Sequence, residues 1–153
     1  MPRKREMTDQ FFMHQALAEA RKSARRGEVP VGAVVIRENR ILSRAHNMPI
    51  SKKDPTAHAE IVAIRKACGK VKSYRLPDCD LYVTLEPCVM CLGAVVQARI
   101  RRLIYGALDP KSGAVQSIMY FPFERTNHRV EIVGGVMAEE CSQVLKEFFQ
   151  DKR

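Results

Sequence analysis

Four residues of this sequence have the types and spacing to bind a metal ion and move protons. Cys88 and Cys91 stand three positions apart in Pro87-Cys88-Val89-Met90-Cys91, and His58 lies 30 positions before Cys88, within Thr56-Ala57-His58-Ala59-Glu60. Thiolate sulfur and imidazole nitrogen are zinc ligands at about 2.0–2.3 Å. On a helix, a separation of three puts both cysteines on one face. The interval between His58 and Cys88 has room for a helix, a connection and a strand, which can return the chain beside the earlier helix. Three protein ligands leave the fourth tetrahedral position open, as in a catalytic rather than a structural zinc site. A structural site would want a fourth ligand, and Cys79, His46 or Cys68 could be proposed, but none has a regular spacing to the others. Mixed imidazole and thiolate donors favour zinc over other divalent metals.

Glu60 then has a task. Zinc makes water acidic enough to lose a proton near neutral pH. A nearby carboxylate can take that proton and later hand it to a leaving group. Taken singly, Glu60 could be a first-turn acid that favours the helix dipole, and His58 an ordinary histidine. It is the conjunction with the cysteine pair that argues for chemistry. His58 and Glu60, two apart, do not share a helix face. Side chains of a first turn tilt toward the N-terminus, however, and can converge ahead of the helix end. Each helix N-terminus also carries partial positive charge, which favours thiolates at Cys88 and Cys91.

The elements that must position these residues follow from pattern. Thr8 suits an N-cap and Gly27 a C-terminal stop, with Met13, Leu17, Ala20 and Ala24 recurring at helical spacing between them. Val31 to Ile36 and Ile41 to Ala45 read as a β-hairpin across Arg37-Glu38-Asn39-Arg40. Asn47 to Pro55 reads as a loop. A helix is predicted from near Ala57 to about Cys68, stopped by Gly69, then a strand from Leu81 to Leu85. Pro87 opens another helix that runs to about Arg99. Arg102 to Gly106 and Val130 to Val133 read as strands, Asp109 to Gly113 as a loop and Ala138 to Phe149 as an amphipathic helix. Alternation of strands and helices implies an α/β domain with helices covering a sheet.

The 153 residues suit one domain with a sizeable core, 1–153, in which about residues 1–7 form a flexible basic arm. No apolar run reaches membrane-span length, and the first residues lack the apolar stretch of a secretory signal. A cytoplasmic protein is therefore expected. Of the five cysteines, Cys68, Cys79 and Cys141 have no partner at ligand spacing and read as small buried residues, with no disulfide partner. The formal net charge is +9, which favours polyanionic partners such as nucleic acid. Basic residues cluster at Arg3-Lys4-Arg5, at Arg21, Lys22, Arg25 and Arg26, and at Arg99, Arg101 and Arg102.

The His-x-Glu and Pro-Cys-x-x-Cys pair resembles the zinc-dependent nucleobase deaminase superfamily. Over nearly the whole chain the sequence is similar to the bacterial tRNA-specific adenosine deaminase family. The resemblance is carried by Gly27-Glu28-Val29-Pro30-Val31-Gly32-Ala33-Val34, by Asn47, and by Asp54-Pro55-Thr56-Ala57-His58-Ala59-Glu60-Ile61. It is also carried by Leu81-Tyr82-Val83-Thr84-Leu85-Glu86-Pro87-Cys88-Val89-Met90-Cys91, by Asn127-His128-Arg129-Val130 and by Phe148-Phe149. The resemblance implies hydrolytic deamination of adenosine to inosine at the wobble position of a tRNA anticodon, with attack at C6 of a flipped-out adenine and loss of ammonia. It implies a three-layer α/β/α sandwich around a five-stranded mixed sheet, a homodimer with active sites near the interface, and one Zn2+ per subunit.

The family pattern makes His58, Cys88 and Cys91 the metal ligands and Glu60 the catalytic acid–base. It makes Asn47 a pocket residue and the Ala59 N–H a donor to the base. Asp109, Lys111 and Ser112 resemble a loop that touches the anticodon backbone, and Phe149 a residue bordering pocket and RNA. Glu86 is conspicuous beside Pro87 and reads as a structural or helix-entry residue. The chain departs from the family at Leu108 and Pro110 and over Tyr120-Phe121-Pro122-Phe123, where RNA is expected, and it ends soon after Phe149, where some members carry a basic tail. Arg3-Lys4-Arg5 could compensate for that tail.

Two alternatives differ in what they ask of the sequence. A deaminase of a free base or nucleoside would use the same zinc machinery but does not require a basic surface. A non-catalytic RNA-binding subunit would keep zinc for folding alone, and for it Glu60 would be dispensable.

Overall fold

The structure, a computed structural model, describes residues 8–152. The predicted basic arm and its Arg3-Lys4-Arg5 cluster lie outside the described residues. Helix α1 (Asp9–Arg25) is capped by Thr8, whose hydroxyl accepts the Phe11 N–H at 3.2 Å. The chain leaves it through Gly27 at φ +77°, a left-handed conformation that glycine adopts without strain. Strands β1 (Gly32–Arg37) and β2 (Arg40–His46) form the hairpin, turned by Glu38 and Asn39 at φ 50° and 61°. Positive φ at both central residues is the signature of a type I′ turn, whose twist matches the strands it joins.

Helices α2 (Pro49–Lys52) and α3 (Ala59–Val71) follow, then β3 (Cys79–Leu85), α4 (Val89–Gln97), β4 (Arg102–Ala107), β5 (Glu131–Val133) and α5 (Ala138–Asp151). The five strands lie in the order β2-β1-β3-β4-β5. β1 runs antiparallel to β2 and β3, while β3, β4 and β5 are mutually parallel, so the sheet is mixed. Alternation along β1 divides the core. Ala33 and Val35 face α3 and α4, with Val62, Leu92 and Val95. Val34 and Ile36 face α1 and α5, with Met13, Leu17 and Val144. This is the expected three-layer α/β/α sandwich. Gly32 lets α1 lie close on β1, because a Cβ there would collide with the Ala16 carbonyl.

Several boundaries differ from the sequence reading, most of all around α2, α3 and α4. Between Asn47 and Pro55 the chain forms the short α2. Pro49 stands at its start, and the buried Glu28 carboxylate accepts the Ile50 and Ser51 N–H groups at 2.9 and 3.1 Å. Helix α3 continues through Gly69 and ends at Lys72 (φ 57°). Nothing lies within 4 Å of where a Gly69 side chain would be, so the glycine sits on an open helix face and the buried face carries the helix past it. Pro87 lies one residue ahead of the α4 cap, and the helix stops at Gln97.

The basic clusters separate as well. Arg101 pairs with Asp80 at 2.9 Å, and Arg102 bridges Asp9, Asp80 and Glu131. These arginines knit the N-terminal ends of β3 and β4 to α1, away from Cys88 and Cys91, which follow the other end of β3. Arg21 and Arg25 lie in a groove between α1 and the end of α5, at the sheet end where β1 begins. No helix among the described residues is long and apolar enough to cross a membrane.

Candidate active site

β3 and β4 are parallel neighbours inside the sheet, so the chain leaving β3 crosses over through α4, and the start of α3 packs beside it. His58 is the N-cap of α3 and Cys88 the N-cap of α4, each in extended backbone, while Cys91 is buried in the first turn of α4. The sequence reading places His58 and Cys88 inside the first turns, and the structure makes them the caps. As caps they stand directly ahead of the helix ends, where side chains from two helices can meet.

His58 Nδ1 lies 3.5 Å from Cys88 Sγ and 3.6 Å from Cys91 Sγ. A tetrahedral ion with metal–sulfur and metal–nitrogen bonds of about 2.3 and 2.0–2.1 Å has N···S edges of about 3.6 Å. The three donor atoms therefore fit one tetrahedral metal ion. Among the described residues this is the group of three or more potential ligands close enough to share an ion, all donor atoms falling within 4.8 Å of one another. The three residues considered as a fourth ligand lie elsewhere. Cys79 begins β3, Cys68 lies near the end of α3, and His46 is buried with Nδ1 3.2 Å from the Asn47 carbonyl oxygen.

The two thiols are shifted in opposite directions. Hydrogen bonding by Cys91 lowers the Cys88 thiol to about 4, with His58 adding to the effect and burial opposing it. Cys91 is driven the other way, first by its bond to Cys88 and then by burial. Glu60 is buried at 4% exposure beside Cys91. Burial pushes its carboxyl up to about 7.

Asn47 is clamped from several sides. Its N–H donates to Val31 O at 3.0 Å, and its carbonyl accepts the Ser23 hydroxyl at 2.7 Å. Its side-chain Oδ1 accepts the Ala59 N–H at 2.9 Å. The Ala59 N–H, expected to donate to a base, donates to Asn47 in this structure. With Oδ1 engaged, the Asn47 Nδ2 group is the donor this pair can offer a ligand.

Asp109 shapes its own loop, Oδ1 accepting the Lys111 and Ser112 N–H groups at 3.0 and 3.3 Å, while the Lys111 and Ser112 side chains are exposed. Phe149 is half exposed at the end of α5, edge-on to Phe148, in the layer opposite α3 and α4. His128 Nε2 lies 2.7 Å from Ile100 O, and Asn127 accepts from Arg99, so this stretch pins the approach to β5 onto the α4–β4 turn. Ser23 and Glu28 escaped sequence reasoning, because a buried serine or glutamate that holds a loop has no local signature. Glu86 is legible as a structural or helix-entry acid beside Pro87, but not the loop it binds.

A five-stranded mixed sheet of this order, with a His/Cys/Cys cluster and a buried glutamate at the N-termini of two helices, defines a deaminase of the cytidine-deaminase-like fold. The model of the MafB19-like deaminase family matches residues 7–153. The tRNA-specific adenosine deaminase of Haemophilus influenzae is 48% identical over 95% of this chain and 85% of its own. A solved tRNA:A34 deaminase, studied for A-to-I editing at the wobble position of transfer RNA, superposes with a TM-score of 0.84 at 47% identity, over 88% of this chain and 99% of that one. Guanine deaminase from Bacillus subtilis matches at 40% identity and a TM-score of 0.64, over 67% of this chain and 66% of that one. The chain belongs to the tRNA-specific adenosine deaminase family.

Proposed function

We propose that this protein hydrolyses adenosine to inosine at the wobble position of tRNA anticodons and releases ammonia. The observation that carries the reading is the His58–Cys88–Cys91 triangle with Glu60 buried beside it, in a chain 48% identical to a tRNA-specific adenosine deaminase. His58, Cys88 and Cys91 would hold one Zn2+ per subunit. Zinc, when bound, supplies a Lewis acid that makes water a competent nucleophile at neutral pH.

The chain's own residues do the rest. Glu60 takes a proton from the attacking water and delivers one to the departing amine, so that a C6–O bond forms as the C6–N bond breaks. Asn47 offers Nδ2 to an acceptor on the base and, through Oδ1, fixes the first turn of α3 that carries Glu60. The anticodon stem-loop docks on the loop of Asp109, Lys111 and Ser112, with Phe149 bordering its path.

We further infer a cytoplasmic homodimer of single-domain subunits. Support for the second copy comes from exposed apolar side chains on and near the loop that follows β4: Val89, Leu108, Ile118, Met119 and Tyr120. Light scattering after gel filtration tests it: a monomer at micromolar concentration would remove the dimer.

The functional test is inosine formation in an anticodon stem-loop with adenosine at the wobble position, with free adenosine, cytidine and guanine assayed alongside. Conversion of the RNA alone is expected. Conversion of a free base or nucleoside alone would keep the chemistry and discard the RNA.

A further inference from the structure

The loop between β4 and the turn at Phe123–Arg125 has little regular structure of its own, yet it borders the site. What holds it is one side chain. Glu86 follows β3 directly, two residues before Cys88, and is 2% exposed. Its N–H donates to Ala107 O at 2.8 Å. Its carboxylate is surrounded by donors from the loop alone. Oε1 accepts the Asp109 N–H at 3.0 Å and the Ser117 hydroxyl. Oε2 accepts the N–H groups of Val115, Gln116 and Ser117 at 3.0, 2.8 and 3.1 Å. Two further bonds tie the same segments: Ala114 N–H to Pro87 O at 2.8 Å, and Phe121 N–H to Ala114 O at 2.9 Å. Gly113 completes the fit, because a Cβ there would strike the Glu86 carboxyl carbon and Oε1.

A buried carboxylate needs its lone pairs satisfied, and backbone N–H groups gathered around it become fixed in one arrangement. Here they span from Asp109 to Ser117, so the strut sets the position of the whole loop relative to the Pro87–Cys88 turn. The same loop presents Lys111, Ser112 and Tyr120 outward. A loop ordered before RNA arrives avoids the entropic cost of being ordered by it.

We propose that Glu86 is a positioning residue for the deamination of RNA, holding the Asp109–Ser117 loop in register with the Cys88 turn so that a docked anticodon loop is delivered to the site. The inference rests on the functional reading above. It deepens that reading by giving the loop a fixed geometry built from within the protein. Glu86 touches neither substrate nor metal ligand in this role, and it acts through the loop it holds.

Glu86→Gln tests it, because an amide nitrogen cannot accept the Asp109 N–H. Steady-state kinetics on the anticodon stem-loop should show KM raised about tenfold with kcat changed less than about threefold, because the loss falls on docking. Zinc content should stay at the parent level, and the amides of Asp109, Val115, Gln116 and Ser117 should exchange faster. Gly113→Ala presses on the same carboxylate from the loop side and should raise KM likewise. Combined with Glu86→Gln, its effect should be less than additive, because both changes disturb one contact. Asp80→Asn, in the ion-pair network at the other end of β3, gauges what lost stability alone does and should lower Tm with KM unchanged.

If Glu86→Gln and Gly113→Ala lower Tm but raise KM no more than Asp80→Asn, the strut is structural only and the proposal is overturned. If Glu86→Gln does not fold, Gly113→Ala decides. A parent enzyme that left the stem-loop unconverted would overturn the functional reading and this inference with it. Conversion by the parent with KM unmoved in the variants would overturn the inference alone.

Discussion

The Asn47 side chain accepts the Ala59 N–H at 2.9 Å, joining the residue after β2 to the first residue of α3, next to both His58 and Glu60. Its oxygen orders the helix end that carries Glu60, and in the proposed function its nitrogen is the donor to the base. Asn47→Asp separates these. The carboxylate still accepts the Ala59 N–H but offers no donor. Thermal stability should stay near that of the parent, while kcat/KM on the stem-loop falls roughly tenfold to a hundredfold, as for a lost hydrogen bond of about 1–3 kcal/mol in a buried site. An unchanged kcat/KM would remove Asn47 from base recognition.

Replacement of any one metal ligand should abolish metal binding and activity together. The ligand atoms of His58, Cys88 and Cys91 lie within 4.8 Å of one another, and among the described residues the cluster has no fourth member to compensate. In Cys88→Ala, metal analysis should find zinc lost and inosine formation undetectable. Chelation of the parent should do the same, with activity restored by added zinc. A Cys88→Ala protein with full zinc content would contradict the ligand set.

Most of this site was legible because its residues are few and chemically distinctive. His58, Glu60, Cys88 and Cys91 announce themselves by type and spacing, and Thr8, Gly27 and the Glu38-Asn39 turn mark element ends by local chemistry. What was not legible depends on partners distant in sequence. Helix α2 has its Ile50 N–H bound by a glutamate 22 residues earlier. Helix α3 outlasts Gly69 because its other face is buried, and propensity cannot report that. The Ala59 N–H looked available until Asn47, 12 residues back, was seen to bind it. Arg101 and Arg102 looked like part of a nucleic-acid surface. They are bound to acids that the fold brings to the far end of the sheet.

Acid should destabilise the protein through two carboxylates outside the site. Burial alone would raise Asp9 and Glu28. Hydrogen bonds outweigh it and lower both, from Arg102 and Tyr82 to Asp9 and from the Ile50 and Ser51 N–H groups to Glu28. Asp9 also lies in the network of Asp80 and Arg102, and Glu28 lies near His46. Because the unfolded chain binds these protons more readily, the stabilisation is complete above the ordinary carboxylate range of about 4 and is lost as pH falls below it. Melting curves from pH 7 to 3 should show Tm declining at the acidic end. Glu28→Gln should start lower at pH 7 and decline less. Parallel declines in the two proteins would deny Glu28 its share.

Salt should weaken RNA binding steeply. Arg21, Arg25 and Lys111 are exposed on a chain of net charge +9, and each phosphate they neutralise releases counterions. With about four phosphates contacted, raising salt from about 50 to 200 mM should cost roughly a hundredfold in affinity for the stem-loop. A flat dependence would sink the claim that the basic surface meets the RNA backbone.

In the proposed function Glu60, buried beside Cys91, moves the protons of deamination. Single-turnover inosine formation in the wobble-adenosine stem-loop, by the parent and by Glu60→Ala at equal zinc content, tests it most directly. The expected result is a rate lower by at least about a hundredfold in the variant, with zinc and RNA binding retained. A variant that deaminates as fast as the parent would contradict the account.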